Sequence, residues 1–73
     1  MTPLDKEIIK GMADNNLNMN AVARGLYMHR NTVLFHIEKV QRETGLNARK
    51  FYDLAELLLL IDKSEVGDYD PQG

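Results

Sequence analysis

Cysteine is absent from these 73 residues. That excludes disulfide staples, thiolate zinc sites and cysteine nucleophiles together, and it accords with the cytoplasmic setting we expect. Long apolar runs are also missing. The longest, Leu57–Ile61, has five residues, whereas a bilayer-spanning helix takes roughly 20. The opening stretch Met1-Thr2-Pro3-Leu4-Asp5 lacks the basic and apolar regions of a signal peptide, so no membrane partner is expected. Nothing alternates with period two over a useful length, which removes the pattern of a half-buried strand. There is no glycine-rich phosphate loop and no nucleophile elbow. The two histidines, His29 and His36, stand seven apart and do not make a His-x-x-x-His pair. The expectation is a non-enzyme without cofactor, metal or small-molecule ligand in this domain.

What the chain does hold is ordinary for one small globular domain, with 44% hydrophobic residues and a net charge of −2. The charge is unevenly placed. Residues 1–17 carry two basic and three acidic groups, and residues 51–73 carry Lys63 against six acidic groups. Residues 18–50 carry six basic groups (Arg24, Arg30, Lys39, Arg42, Arg49, Lys50) against Glu38 and Glu43, a local net of +4. Because fields are screened beyond roughly 8–10 Å at physiological salt, such a cationic middle attracts phosphate despite the acidic end.

Helical periodicity supplies the architecture. Thr2-Pro3 suits a cap and first helical residue, with Asp5 three residues after the cap; Leu4, Ile8, Ile9 and Met12 then form one apolar stripe, and Asn15-Asn16 ends it. A second helix runs over about 19–26, capped by Asn18 or Asn20, with Met19, Val22, Ala23 and Leu26 as its inner face. The third, over about 30–44, has the narrow seam Val33, Ile37, Val40 and Thr44 and stops at Gly45. A fourth is predicted over about 49–63, inner face Phe51, Leu54, Ala55, Leu58 and Ile61. The predicted fold is therefore all-α, a compact four-helix domain over residues 1–63, followed by an acidic flexible tail over 64–73.

Only Tyr27-Met28-His29 separate the second and third helices, the connection of a helix-turn-helix. Ala23 is small where the helices must approach, Leu26 and Met28 are apolar on either side of the corner, and Val33 with Ile37 supplies the opposite wall. With Val33 inward and about 100° per residue, Asn31, Phe35, Glu38 and Arg42 point outward, with Arg30, Thr32, Leu34 and His36 on the shoulders. The N-terminal part of a recognition helix reaches base edges. Arginine pairs with guanine and asparagine with adenine, so Arg30 and Asn31 are the base-reading candidates. Arg30 is disfavoured by the helix dipole at that end, which points to an external partner. Thr32 either caps the helix or meets a phosphate, and His29 is either a cap-region residue or a phosphate ligand. Phe35, outward and apolar, suits a thymine methyl or another protomer, while Leu34 suits the edge of the core. His36 and Lys39 complete the DNA-facing set.

The run from Asn18 to Val33, with its His29-Arg30-Asn31-Thr32 core, resembles the C-terminal helix-turn-helix domain of PucR/CdaR-type regulators. Ile37-Glu38-Lys39-Val40, Glu43-Thr44-Gly45-Leu46 and the leucine-rich Leu54–Leu60 stretch continue the likeness in order, over roughly residues 4–61. The Fis-type DNA-binding domain is similar at greater distance. The resemblance implies a module that binds double-stranded operator DNA behind a larger sensor domain, as part of a transcriptional regulator of purine or sugar-diacid catabolism. It implies DNA-facing roles for Arg30, Asn31 and Thr32, with His29 beside them. Where that family commonly has Arg-Tyr-Arg, this chain has Leu34-Phe35-His36. The loss of positive charge implies weaker non-specific affinity and a salt dependence flatter by about one unit of slope per lost phosphate contact.

A different reading comes from the fourth helix. Leu57 and Leu60 point away from its predicted inner face, and a second apolar side marks a docking surface for a second copy or a missing sensor domain.

Overall fold

The computed structural model describes residues 1–66. Four helices follow one another: α1 (Pro3–Asp14), α2 (Met19–Gly25), α3 (Arg30–Thr44) and α4 (Phe51–Val66). No strand occurs among the described residues, and the fold is all-α.

Each helix begins or ends for a local chemical reason. Thr2 and Asp5 form a reciprocal capping box on α1, Asp5 N donating to Thr2 Oγ1 at 3.1 Å and Thr2 N to Asp5 Oδ2 at 2.8 Å. The helix closes at Asp14, and the chain then takes left-handed conformations at Asn16 (φ 54°) and at Leu17 (φ 63°). The side chain that caps α2 is that of Asn18, which accepts from Ala21 N at 3.1 Å. Gly45 ends α3 at φ 79°, a conformation glycine adopts without steric cost.

α1 is the hub. Ile8, Ile9 and Met12 are fully buried, and at close backbone range α1 meets α2, α3 and α4, whereas α4 meets α1 alone. The core is completed by Met19, Val22 and Ala23 of α2, by Val33, Ile37 and Val40 of α3, by Ala48, and by Leu54, Leu57 and Ile61 of α4. Gly11 lets α1 and α2 approach: a Cβ there would stand 3.2 Å from Val22 Cγ1.

α4 departs from the sequence pattern in three ways. It starts at Phe51, two residues later than expected, because Asn47 organises a turn first. Arg49 N donates to Asn47 Oδ1 at 2.9 Å, Lys50 N to Asn47 O at 3.0 Å, and Asn47 N to Asp53 Oδ2 at 3.0 Å. It continues through Val66, so Ser64 belongs to the helix, where its Oγ accepts from Lys6 Nζ at 3.3 Å. The remainder of the expected tail, 67–73, lies outside the described residues. Its inner face is also rotated. Leu57 is fully buried against α1, not on a second exposed side, while Phe51 is 65% exposed and Ala55 is exposed. A helix so rich in leucine offers two apolar stripes of similar quality, and the periodicity does not choose between them. Docking on α1 selects Leu54, Leu57 and Ile61.

Candidate nucleic-acid interface

The corner between α2 and α3 is built by the backbone. Leu26 N donates to Val22 O at 3.0 Å, and Met28 N reaches back to Ala23 O at 2.9 Å. Between them Tyr27 takes the left-handed conformation, φ 54°. This six-to-one closure is how helices end when the chain must turn sharply. Ala23 is buried at the crossing, and Leu26 and Met28 are half-buried against the core on either side of the turn. His29 is then extended (φ −71°, ψ 146°), and α3 starts at Arg30. The two helices and the turn make this a helix-turn-helix.

The start of α3 is bare. His29 stands at the cap position but its side chain makes no capping bond. The Thr32 amide is satisfied by His29 O at 3.0 Å, and the Thr32 side chain caps nothing. His29, Arg30, Asn31 and Thr32 are all exposed. Among the described residues their side chains have no hydrogen-bonding or ionic partner. Phe35 is 56% exposed, with its ring edge-on to that of His36 at a centroid separation of 5.4 Å. Leu34 is half-buried at the core edge.

His36 and Lys39 are placed otherwise than expected. Both turn toward α1 and converge on Asp5, which is fully buried. His36 Nδ1 lies 2.7 Å from Asp5 Oδ1, and Lys39 Nζ donates to Asp5 Oδ2 at 2.7 Å and lies 3.8 Å from Glu43. With the carboxylate ionised, Nδ1 is the ring nitrogen that carries the proton. Burial by itself raises the Asp5 pKa, but the Lys39 ammonium, the Thr2 amide, His36 and the Thr2 hydroxyl outweigh it. Together they hold the carboxyl well below the usual range. The Lys39 pKa is raised, chiefly by its hydrogen bond to Asp5 against some desolvation. These two groups therefore anchor α3 to α1 and do not stand free beside the exposed first turn. The correction has a simple source. The 31- and 34-residue separations leave no periodic trace, and Asp5 looks locally like a capping residue and nothing more.

Sequence reasoning also passed over the α2 side of the corner. An open groove there is lined by Asn20, Ala23, Arg24, Tyr27, Met28, His29 and Arg30. Tyr27 is 96% exposed. An aromatic at the turn position, where glycine is usual, was the available signal.

No group of three or more His, Asp or Glu residues suited to a metal ion occurs among the described residues, and no described helix is long and apolar enough to cross a membrane.

These features define a helix-turn-helix domain of the kind found in transcriptional regulators. More narrowly, residues 7–62 match the family model of the PucR C-terminal helix-turn-helix domain, and the chain belongs to that family. No curated protein and no solved structure gives a significant match.

Proposed function

We propose that this domain binds double-stranded DNA sequence-specifically, as the C-terminal module of a bacterial transcriptional regulator working in the cytoplasm. The first turn of α3 enters the major groove, with Arg30 and Asn31 on base edges and with His29, Thr32 and Phe35 beside them. One observation carries this reading: the polar side chains at the start of α3 are exposed and unpartnered, while the basic groups one and two turns further along are tied to Asp5. A positive side chain at a helix N-terminus gains nothing from the dipole, so its partner is external. Family membership supports the same class of ligand. Selection of bound duplexes from a random pool at low salt tests it. The expected result is a recurrent short motif with guanine and adenine at fixed positions. Recovery of random sequence, or of none, removes the specific-binding role.

A second copy of the chain fits the outer face of α4, where Tyr52, Leu59 and Leu60 are exposed at 85%, 60% and 41%. Two α4 helices laid antiparallel about an axis between Leu59 and Leu60 set Glu56 of one copy against Lys63 of the other, both exposed and on the same face. Sedimentation at tens of micromolar should show a mass above one chain. Leu60→Glu should abolish the association, and Glu56→Lys should weaken it until Lys63→Glu is added. A strictly monomeric wild type removes the α4 interface and leaves the DNA reading untouched. The interface set is thus Leu59 and Leu60; Leu57 belongs to the core.

A further inference from the structure

The corner is turned by a residue poorly suited to turning it. A left-handed backbone pushes an L side chain against its own carbonyl, a strain that glycine escapes. Yet Tyr27 holds φ 54°, and Gly25, two residues earlier, lies within α2 without a positive φ and with open space where a Cβ would stand. Tyr27 regains nothing by packing, since it is 96% exposed. Its hydroxyl also has no hydrogen-bonding partner among the described residues. Strain that is not repaid inside the molecule points to a role outside it.

The surroundings say what kind of role. Asn20 and Arg24 are one turn apart on α2, on the same face, both exposed. With Tyr27 they line the open groove that continues to His29 and Arg30 over a floor of Ala23 and Met28. Two guanidinium groups, an amide, a phenol and an imidazole border it, and no carboxylate does. This donor-rich rim suits an extended polyanion running past it. Contacts to phosphate oxygens fix the register of a protein on the duplex, and the α2 side of the rim stands outside the first turn of α3 that is proposed to meet the bases.

We infer that Tyr27, Arg24 and Asn20 clamp the phosphodiester backbone beside the groove that α3 enters, the Tyr27 hydroxyl donating to a phosphate oxygen. This rests on the DNA-binding reading above. The clamp sets the register in which Arg30 and Asn31 meet the bases and carries no sequence information itself.

The test uses the duplex recovered by selection, with Tyr27→Phe, Tyr27→Gly and Arg24→Ala. Tyr27→Gly is expected to raise the thermal midpoint by a few degrees through relief of strain, yet to weaken binding about tenfold. Tyr27→Phe should weaken binding by a similar factor at unchanged midpoint. Arg24→Ala should flatten the log–log salt dependence by about one unit. None should change the preferred bases. In ethylation interference, one phosphate whose ethylation blocks the wild type should become indifferent in Tyr27→Phe, which a merely structural tyrosine would not produce. Wild-type affinity and an unchanged interference pattern in both Tyr27 variants overturn the clamp alone, with base recognition by Arg30 and Asn31 intact. A wild type that binds no duplex overturns the clamp and the DNA reading together.

Discussion

Asp5→Ala is expected to cost about 2–4 kcal/mol of folding stability, from the lost helix cap and from hydrogen bonds to charged or polar partners that are themselves part-exposed. A domain of this length has on the order of 4–11 kcal/mol in total, so the loss is a large share of the whole and the variant should unfold at a markedly lower urea concentration. The reason is the number of groups that converge on one carboxylate. Asp5 closes the cap of α1 through Thr2 and receives His36 and Lys39 from α3. Its removal frays one helix, takes the shared partner from His36 and Lys39, and loosens the contact between α1 and α3. Asp14→Ala, exposed near the end of the same helix, should change stability by less than about 0.5 kcal/mol. Urea unfolding of the two variants checks both values; equal midpoints would show that the Asp5 cluster contributes nothing net.

The same cluster sets a pH dependence. Asp5 is held below its ordinary carboxylate value, so its contribution is complete above about pH 4–5 and is withdrawn as the pH falls through the acid range. Lys39 is shifted upward. Its contribution is therefore complete below the ordinary lysine range and is lost only as the pH rises through the raised folded value. These are two ends of one interaction and count once. The difference in unfolding free energy between wild type and Asp5→Asn should thus shrink as the pH falls from about 4 toward 2. A difference that grows as the pH falls through that carboxylate range contradicts the assignment.

The second large effect concerns DNA. Arg30→Ala and Asn31→Ala should each weaken binding to the selected duplex by about 5- to 150-fold, the equivalent of about 1–3 kcal/mol for a paired base contact, and should relax the preference at one base pair each. Helicity should be unchanged, because neither side chain has an intramolecular partner among the described residues. Asp14→Ala, at the exposed end of α1, serves as the control and should bind as wild type. Titration of each variant against the selected duplex and a scrambled one measures affinity and discrimination together. Unchanged discrimination in both α3 variants would remove base reading from this helix.

How much of this was legible beforehand differs between elements. α3 is readable because a seam of Val33, Ile37 and Val40, one residue wide, admits one rotation only, and Gly45 marks the stop. The exposure of Arg30, Asn31 and Phe35 follows from that rotation. The helix-turn-helix corner is readable because a short connection and a small residue at Ala23 leave few other geometries. α4 was not readable in the same way. Its run of leucines satisfies two helical faces, and with Leu57 on the wrong one the expected interface pointed into the core. The roles of His36 and Lys39 were equally hidden, since a basic residue on a helix shoulder looks the same whether it awaits a phosphate or a buried carboxylate.

Local chemistry along the chain was enough to determine the caps, the turn, the all-helical class and the bare first turn of α3, because each depends on neighbours within a few residues. Three-dimensional packing decided which leucine face meets α1, that Asp5 is buried, and that His36 and Lys39 hold helices together. Those outcomes depend on surfaces brought together from distant positions, where burial turns an ordinary carboxylate into an anchor for two cationic or polar side chains.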